Sequence, residues 1–477
     1  MITTPLSEIA DYLGAKMLGN DLNVSRVFID SRKENPQGLF IALKGPHFDA
    51  HHFVKNVLEA GASGVLVDHL CDTDKPQVVV HNTRTALADI ARLNRNKSLA
   101  KFVAITGSSG KTTVKEMVAS ILQLTGKILA TKGNFNNDVG VPLTLLEIDQ
   151  SIDFGVVELG ANHAGEIAYT AGITRPDVAL VNNVSAAHLE GFGDLQGVAN
   201  AKSEIYSVLN KKGVAIVNKD DDFFDFFQRK IETNQISFSV EKQADVMAKN
   251  IQLTENQSSV FELHYQQKKI LINLSVVGLH NISNALAAAS CCIALGIPLE
   301  QISEGLKNTQ VVSGRLVIKT LSSGCCIIDD TYNANVASMK AAIDVLKNYP
   351  TVKILVLGDM AELGEYGRES HELIGKYAKN TGIDKLYTCG VLTQFSQTAF
   401  QNNKSGKKGQ HFSQQNELVQ KLKKEAIAGA TILIKGSRSA HMENIVQALI
   451  DDSEIKNSDP KLLSTMEKSA ASLQGKK

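Results

Sequence analysis

The chain has no long apolar run and no surplus of either charge. A membrane span needs about 20 consecutive apolar residues, and nothing here approaches that, so no membrane insertion is expected. Lysine and arginine number 50, as do aspartate and glutamate, so the formal net charge is zero. Nucleic-acid binders usually carry a basic excess, and no nucleic-acid partner is expected. The six cysteines include no Cys-x-x-Cys. Two adjacent pairs, Cys291-Cys292 and Cys325-Cys326, lie in apolar runs and read as buried, reduced thiols rather than a disulfide framework or metal site. The N-terminus lacks the basic segment and apolar core of a signal peptide, so a cytoplasmic location is expected. No Ser/His/Asp or Cys/His nucleophile arrangement, no Cys/His metal motif and no GxGxxG fingerprint is evident. The chemistry is therefore expected to come from a nucleoside triphosphate.

What is present points the same way. Phe102 to Ile105 reads as a buried strand. It runs into Thr106-Gly-Ser-Ser-Gly-Lys-Thr-Thr113 and then a helix from Lys111 to about Leu124. Strand, glycine turn and helix form a phosphate-binding geometry, because glycines let N–H groups face an anion and the helix N-terminus adds a favourable dipole. Gly107, Ser108, Ser109 and Gly110 would cradle phosphate, with Thr113 following in the first turn. Lys111 would reach the terminal phosphates, and the Thr112 hydroxyl would help to hold Mg²⁺. The loop is shorter than the usual P-loop, with Ile105 where a glycine is expected.

At 477 residues, 43% of them apolar, the chain implies about three soluble domains. Residues 1–98 read as a small α/β domain, 99–312 as a central domain carrying the phosphate loop, 313–452 as a third domain of βαβ alternation, and 453–477 as a flexible tail. The third domain implies a parallel, doubly wound sheet. Residues 131–142 read as an amide-rich loop, and about 236–278 as an antiparallel β-region. Polar groups at strand ends are where α/β folds place ligands. Asp30, Ser31, Arg32 and Asp49 to His51 are such groups, and could equally be ordinary loop polars. Glu158, leaving a buried strand, is either a Mg²⁺ ligand or a solvated strand-end charge. His188 is structural or belongs to a metal shell. Lys202 is a surface charge or an anion contact. His280, Asn281 and Asn284 either cap a helix or meet a nucleobase edge.

Together these stretches resemble the Mur ligase family over the chain to about residue 450. The resemblance rests on the phosphate loop, Gly133-Asn-Phe-Asn-Asn-Asp138, Glu158 in Val-Glu-Leu-Gly-Ala-Asn-His, Asn182-Asn-Val-x-x-x-His188 and Ala201-Lys-Ser-Glu204. Gly278-x-His-Asn-x-x-Asn284 and Gly314-Arg315 before Asp329-Asp-Thr-Tyr-Asn-Ala-Asn335 complete it. It implies an α/β fold of three domains: a small UDP-substrate domain, a central P-loop ATPase domain with a mainly parallel sheet, and a Rossmann-like C-terminal domain. Within the family, Leu357-Gly-Asp-Met-x-Glu-Leu-Gly364 and the Asp-x-Tyr-Asn-Ala-Asn run look like the member that adds D-Ala-D-Ala. The Asp-Asn-Pro-Arg run associated with diaminopimelate is absent.

The resemblance implies that ATP phosphorylates the terminal carboxylate of a UDP-N-acetylmuramoyl tripeptide and that the amine of D-Ala-D-Ala displaces phosphate. It further implies two Mg²⁺ ions held by Thr112, Glu158, His188 and a carbamylated Lys202, with Arg315 on the γ-phosphate. Asn281 and nearby amides would hold adenine, Asp330 would lie near the ribose, and Asn134 and Asn137 would line the cleft. Ser31, Arg32 and the loop from Gly45 through Asp49 to His51 would meet the UDP-sugar, with Ala50 where the family commonly has glycine. Asn335, Asp359, Lys435, Ser437 and Arg438 would face the dipeptide. A monomer is expected. The alternatives are a Mur-type ligase adding one amino acid, a folate-type glutamate ligase, or a nucleotide-binding switch that ligates nothing.

Overall fold

The computed structural model describes residues 1–32, 37–186, 189–254, 258–310, 312–401 and 408–451. His188 and the 453–477 tail lie outside the described residues. Three sheets follow one another along the chain, of five, nine and six strands, beside a small two-stranded pairing near the N-terminus. No helix among the described residues is long and apolar enough to cross a membrane.

The nine-stranded sheet is built around Lys101–Thr106. Five of its six residues are buried, as expected for a parallel strand covered on both faces. It pairs in parallel with Phe154–Glu158 on one side and Val178–Val181 on the other. The chain first builds outward through Ile128–Ala130 and Phe154–Glu158, then crosses to Val178–Val181, Val214–Asn218 and Asn234–Ser239. Lys101–Thr106 is thus the point where strand order reverses, and ligands of open α/β sheets bind outside the carboxyl ends at such points. The phosphate loop leaves from that end.

Two expectations about this sheet are corrected. Asn234–Ser239 pairs in parallel with Val214–Asn218, and Val246–Leu253 joins it in parallel through two residue pairs. The helix Phe224–Lys230 carries the chain back before Asn234–Ser239, so that strand extends the parallel set. Only Ser259–Tyr265 and Lys268–Leu274 add antiparallel strands. Residues 131–142 are not loop throughout, because a helix begins at Gly140 and runs to Leu145. Pro142 stands in its first turn, where a missing N–H costs no intrahelical bond.

The six-stranded sheet is parallel except at one edge. Val317–Thr320 pairs antiparallel with Cys326–Asp330, because a tight turn through Gly324 (φ +83°) joins the two. The segment entering this sheet, residues 312–316, has two left-handed residues, Gly314 (φ +70°) and Leu316 (φ +54°). The second is a strained conformation for a leucine.

The hydrophobic clusters do not follow the sheets. One continuous cluster joins Leu6, Ile9, Leu39, Leu66 and Leu87 from the first part of the chain to Phe102, Ala104, Val157 and Ala215 of the central sheet. The six-stranded unit has two clusters of its own, to which the central unit adds only Val277. The helix Thr83–Asn96, capped by Asn82, makes the first of these joins. Asn94 is fully buried. Its amide donates to the carbonyls of Leu145 (2.8 Å) and Ile148 (3.1 Å) and accepts the Ile2 N–H at 3.0 Å. Arg95 lies over the Phe102 ring at 4.1 Å and donates to Thr174 O at 2.9 Å.

Asn94→Ala strands the Ile148 carbonyl and the Ile2 N–H, since Leu145 O keeps the Ile148 N–H, and each lost partner costs about 1–3 kcal/mol. The expected loss is about 2–5 kcal/mol, read as a lower urea midpoint for the transition of the first and central units. An unchanged midpoint would refute this account of the junction.

Candidate active site

The phosphate loop is held from behind by the turn after Val178–Val181. Asn183 accepts the Ser109 N–H at its Oδ1 (2.9 Å) and donates to Ser109 O from its Nδ2 (3.0 Å). Ser108 N–H donates to Asn183 O, and the Ser108 hydroxyl exchanges hydrogen bonds with Ser185. Gly110 has φ +78°. A Cβ there would lie 2.5 Å from Asn284 Oδ1 and 2.6 Å from Asn182 Nδ2, so only glycine fits. The helix Lys111–Leu122 starts immediately after it without a side-chain cap. Its first-turn N–H groups are thus left for an anion.

Lys111 folds back to donate to Gly107 O at 2.7 Å. Burial holds its amine below the usual lysine value; Glu158 and Glu362 oppose that shift and Arg315 adds to it. Across the loop, Glu158 is only 3% exposed, which rules out a solvated strand-end charge. Its Oε2 accepts from the Thr112 hydroxyl at 2.9 Å and its Oε1 from Asn136 Nδ2 at 3.0 Å. The Glu158 N–H donates to Thr131 Oγ1 at 3.0 Å. Arg315 Nη2 in turn donates to Thr112 Oγ1 at 2.9 Å, and its guanidinium lies 4.4 Å from the centre of the Tyr332 ring. One hydrogen-bonded chain therefore runs Asn136, Glu158, Thr112, Arg315, from the central unit into the third.

Lys202 is 2% exposed, which overturns its reading as a surface charge. Its helix Leu195–Ser203 buries Val198, Ala199, Ala201 and Ser203 along with it, packing on the helix Glu166–Thr174. Burial first, and Lys111 second, push its amine well below the ordinary lysine value.

At the far side, helix Leu279–Ala294 has no side-chain cap, so the three polar residues at its start do not serve as one. Asn284 Nδ2 donates to Asn281 Oδ1 (2.8 Å), and Asn281 Nδ2 to Val277 O (2.7 Å). His280 is half-buried; burial, then Lys435, depress its pKa to about 4, so it is neutral near pH 7. Lys435 donates to Asp330 Oδ2 at 2.6 Å and to Asn333 O. Burial pushes the Asp330 carboxyl up, against the pull of Lys435. Asn335 caps the helix Val336–Lys347 in a reciprocal box with Ser338, and its Nδ2 lies 3.4 Å from Ser108 O. Asn137 accepts the N–H groups of Val139 and Gly140.

These groups enclose a cavity of about 1170 Å³ between the central and third units. Ser108 to Thr113, Asn134, Asn137, Glu158, Lys202, His280, Asn281, Asn284, Arg315, Asp330, Asn335, Lys435 and Arg438 all line it. Gly107 holds the phosphate-loop turn just behind this wall. Ser437 and Asp359 stand off it. Ser437 is buried, and the Asp359 carboxylate is taken by the N–H groups of Val391, Leu392 and Thr393.

The five positions from the first unit are also not brought to this cavity. Ser31 lies in the turn beside Arg32, whose exposed side chain pairs with Asp30. Gly45 closes a turn onto Phe48 O. His51 is buried, bound to Asp49 through Nδ1 at 2.6 Å and accepting the Asp68 N–H at Nε2. The bonds from His51 hold the Asp49 carboxyl down to about 2. Sequence reasoning left Asn136, Asn182, Asn183 and Tyr332 without roles. All four lay inside motifs already singled out, and the density of amides there was the available signal.

Residues 105–292 match the family profile described as the Mur ligase middle domain, and residues 314–438 that described as Mur ligase, glutamate ligase domain. The chain is 44% identical over 456 residues to the UDP-N-acetylmuramoyl-tripeptide–D-alanyl-D-alanine ligase of Escherichia coli K12, covering 94% of this chain and 99% of that one. MurF from Acinetobacter baumannii superposes with a TM-score of 0.89 at 36% identity, covering 94% of this chain and 100% of that one. MurF from Thermotoga maritima, solved in complex with ADP, gives 0.80 at 27% identity, over 89% and 96%.

Gly110→Ala forces a Cβ onto two buried amides and a left-handed turn. ADP affinity measured by calorimetry is expected to fall roughly tenfold or more, given the 1–3 kcal/mol that such backbone strain costs. Unchanged affinity would show that the loop does not hold the nucleotide.

Proposed function

The chain belongs to the Mur ligase family, whose D-Ala-D-Ala-adding members it matches along most of its length, and we propose that the cavity between its central and third units carries out that ligation. ATP transfers its γ-phosphoryl group to the terminal carboxylate of UDP-N-acetylmuramoyl tripeptide, releasing ADP. The amine nitrogen of D-Ala-D-Ala, having lost a proton, attacks the acyl carbon. Phosphate leaves from the tetrahedral adduct and an amide remains. The observation that carries this reading is the chain Asn136, Glu158, Thr112, Arg315, set against Lys111 in one cavity. It joins a phosphate loop to a cation from the facing unit.

The first step brings two anions together, so fixed positive charge must offset their repulsion. Lys111 exchanges Gly107 O for the γ-phosphate, and Arg315 meets it from the other side. Asn134 and Asn137 hold the cleft in shape. Asn281 and Asn284 present amide N–H groups to adenine beside neutral His280, and Asp330, positioned by Lys435, meets the ribose. The hard oxygens of Thr112 and Glu158 fit Mg²⁺, and the family resemblance assigns His188 to the same ligand set. When bound, the ion would neutralise phosphate charge.

Lys202 supports a second such site. Burial disfavours the charged form of this amine; in its neutral form it can attack the carbon of CO₂ and lose a proton, leaving a carbamate whose oxygens suit the same metal. Arg438, exposed on the wall and paired with Glu443 at 3.1 Å, would take the dipeptide carboxylate. Asp359 and Ser437 shape the loops behind it. The UDP-sugar falls to the first unit, where Ser31 and Arg32 stand open and the Asp49–His51 pair sets the turn from Gly45. Every group named comes from one chain, so the scheme requires only a monomer, acting in the cytoplasm.

Phosphate release with ATP, Mg²⁺ and UDP-muramoyl tripeptide is expected to depend strongly on D-Ala-D-Ala, with a UDP-pentapeptide seen by mass. Preference for a single amino acid would assign the chain to a neighbouring ligase. Lys111→Ala is expected to lose roughly 10²-fold in turnover, the scale of removing one group that stabilises transferring charge; near-normal turnover would refute the loop assignment. In ¹³C-bicarbonate, a carbamate resonance is expected that Lys202→Ala abolishes. A spectrum without it would remove the second metal site.

A further inference from the structure

Asn182 is 1% exposed, does not line the cavity, and is not needed by the mechanism above. Its backbone is already satisfied. Its N–H donates to Thr106 O, and its C=O accepts from Asn218 Nδ2. Its side-chain amide then spends both protons sideways, on Ser109 O at 3.0 Å and on Asn284 Oδ1 at 2.9 Å. Its own Oδ1 is buried with no donor among the described residues. A group kept at the cost of an unpaired acceptor is kept for its two donors. The orientation is fixed, since Ser109 O can only accept.

Those two acceptors belong to different parts of the nucleotide site. Asn284 stands on the wall assigned to adenine and is bonded on to Asn281. Ser109 O belongs to the phosphate loop, where it accepts from Asn183 Nδ2 as well as from Asn182, and it shares one planar peptide unit with the Gly110 N–H; of the two donors only Asn182 also reaches Asn284. In a trans peptide the C=O and N–H point oppositely, so gripping Ser109 O from behind aims Gly110 N–H forward. Gly110 packs against both amides, where any Cβ would collide.

We propose that Asn182 is a positioning residue that couples base recognition to phosphate alignment. Adenine held by Asn281 and Asn284 fixes the Asn284 amide. That amide fixes Asn182, and Asn182 sets the Ser109–Gly110 peptide against the transferring phosphates. A matched base is therefore felt in the rate of phosphoryl transfer as well as in binding. The proposal rests on the assignment of Asn281 and Asn284 to adenine.

The test is a double-mutant cycle of Asn182→Ala and Asn284→Ala on kcat and KM for ATP in the full ligation assay. Asn182→Ala is expected to lower kcat roughly tenfold, within the range of site-to-site couplings, while KM for ATP changes less than about threefold. Asn284→Ala is expected to raise KM and also to lower kcat. The double variant should have a kcat no lower than the poorer single variant, because both break one linkage. Losses in kcat that multiply, or a loss for Asn182→Ala that lies in KM alone, would overturn the coupling. An Asn284→Ala enzyme with unchanged kcat and KM would instead overturn the adenine assignment beneath it. If Asn182→Ala does not fold, the Asn284→Ala arm decides the matter, since a change in KM alone refutes the linkage.

Discussion

Lysine amines drawn out of water are the constraint around which the central cavity is built. Lys111, Lys202 and Arg315 converge there, whereas Glu158 divides its carboxylate between Thr112 and Asn136. Taking cations out of water is costly unless an anion is near. The depressed amines of Lys111 and Lys202 record that cost. A polyphosphate, a metal-bound carboxylate or a carbamate each relieves it. The wall also carries Glu116, Glu166, Glu362, Asp329 and Asp330, so it is the placement of Lys111, Lys202 and Arg315 around the phosphate loop, not a net positive charge, that suits an anion.

The fold makes that arrangement possible by placing the phosphate loop at the point of strand reversal and bringing Arg315 in from another unit. Parallel strands buried on both faces hold Ile105 and Glu158 side by side, one residue before the loop begins. The helix Lys111–Leu122 presents bare N–H groups because nothing caps it. Many helices here lack a side-chain cap, Leu279–Ala294 among them; what sets Lys111–Leu122 apart is the left-handed Gly110 before it and the amide-held loop that leads into it.

Much of this was legible in the sequence where local physics decides. Thr83–Asn96 was readable as a helix because a good cap precedes a clear apolar period, and the phosphate loop because glycine, lysine and threonine each have a defined job. What was illegible was decided at long range. The burial of Lys202 depends on elements packed around its own helix, Glu166–Thr174 among them. His51 looks like a ligand residue from its strand-end position, yet its ring is spent on Asp49 and Asp68. The helix from Gly140 was hidden inside an amide-rich run, and Lys408–Phe412 is a strand by virtue of pairing with Lys385–Cys389 rather than by any alternation of its own. Asn182 could be seen in a motif, but its orphaned oxygen is visible only once its neighbours are in place.

The continuous cluster joining Leu6, Leu87, Phe102 and Ala104 means that the boundary between the first two sheets is not a boundary between folding units. Cutting the chain near residue 98 would separate Leu87 and Ile90 from the strand they cover, and would leave Asn94 and Arg95 facing water instead of the carbonyls they bind. The six-stranded unit, with its own two clusters and a single tether at 312–316, is the natural piece to excise. For anyone dividing this protein into fragments for spectroscopy or screening, the join to protect is the one between the first two sheets, where one apolar cluster is shared.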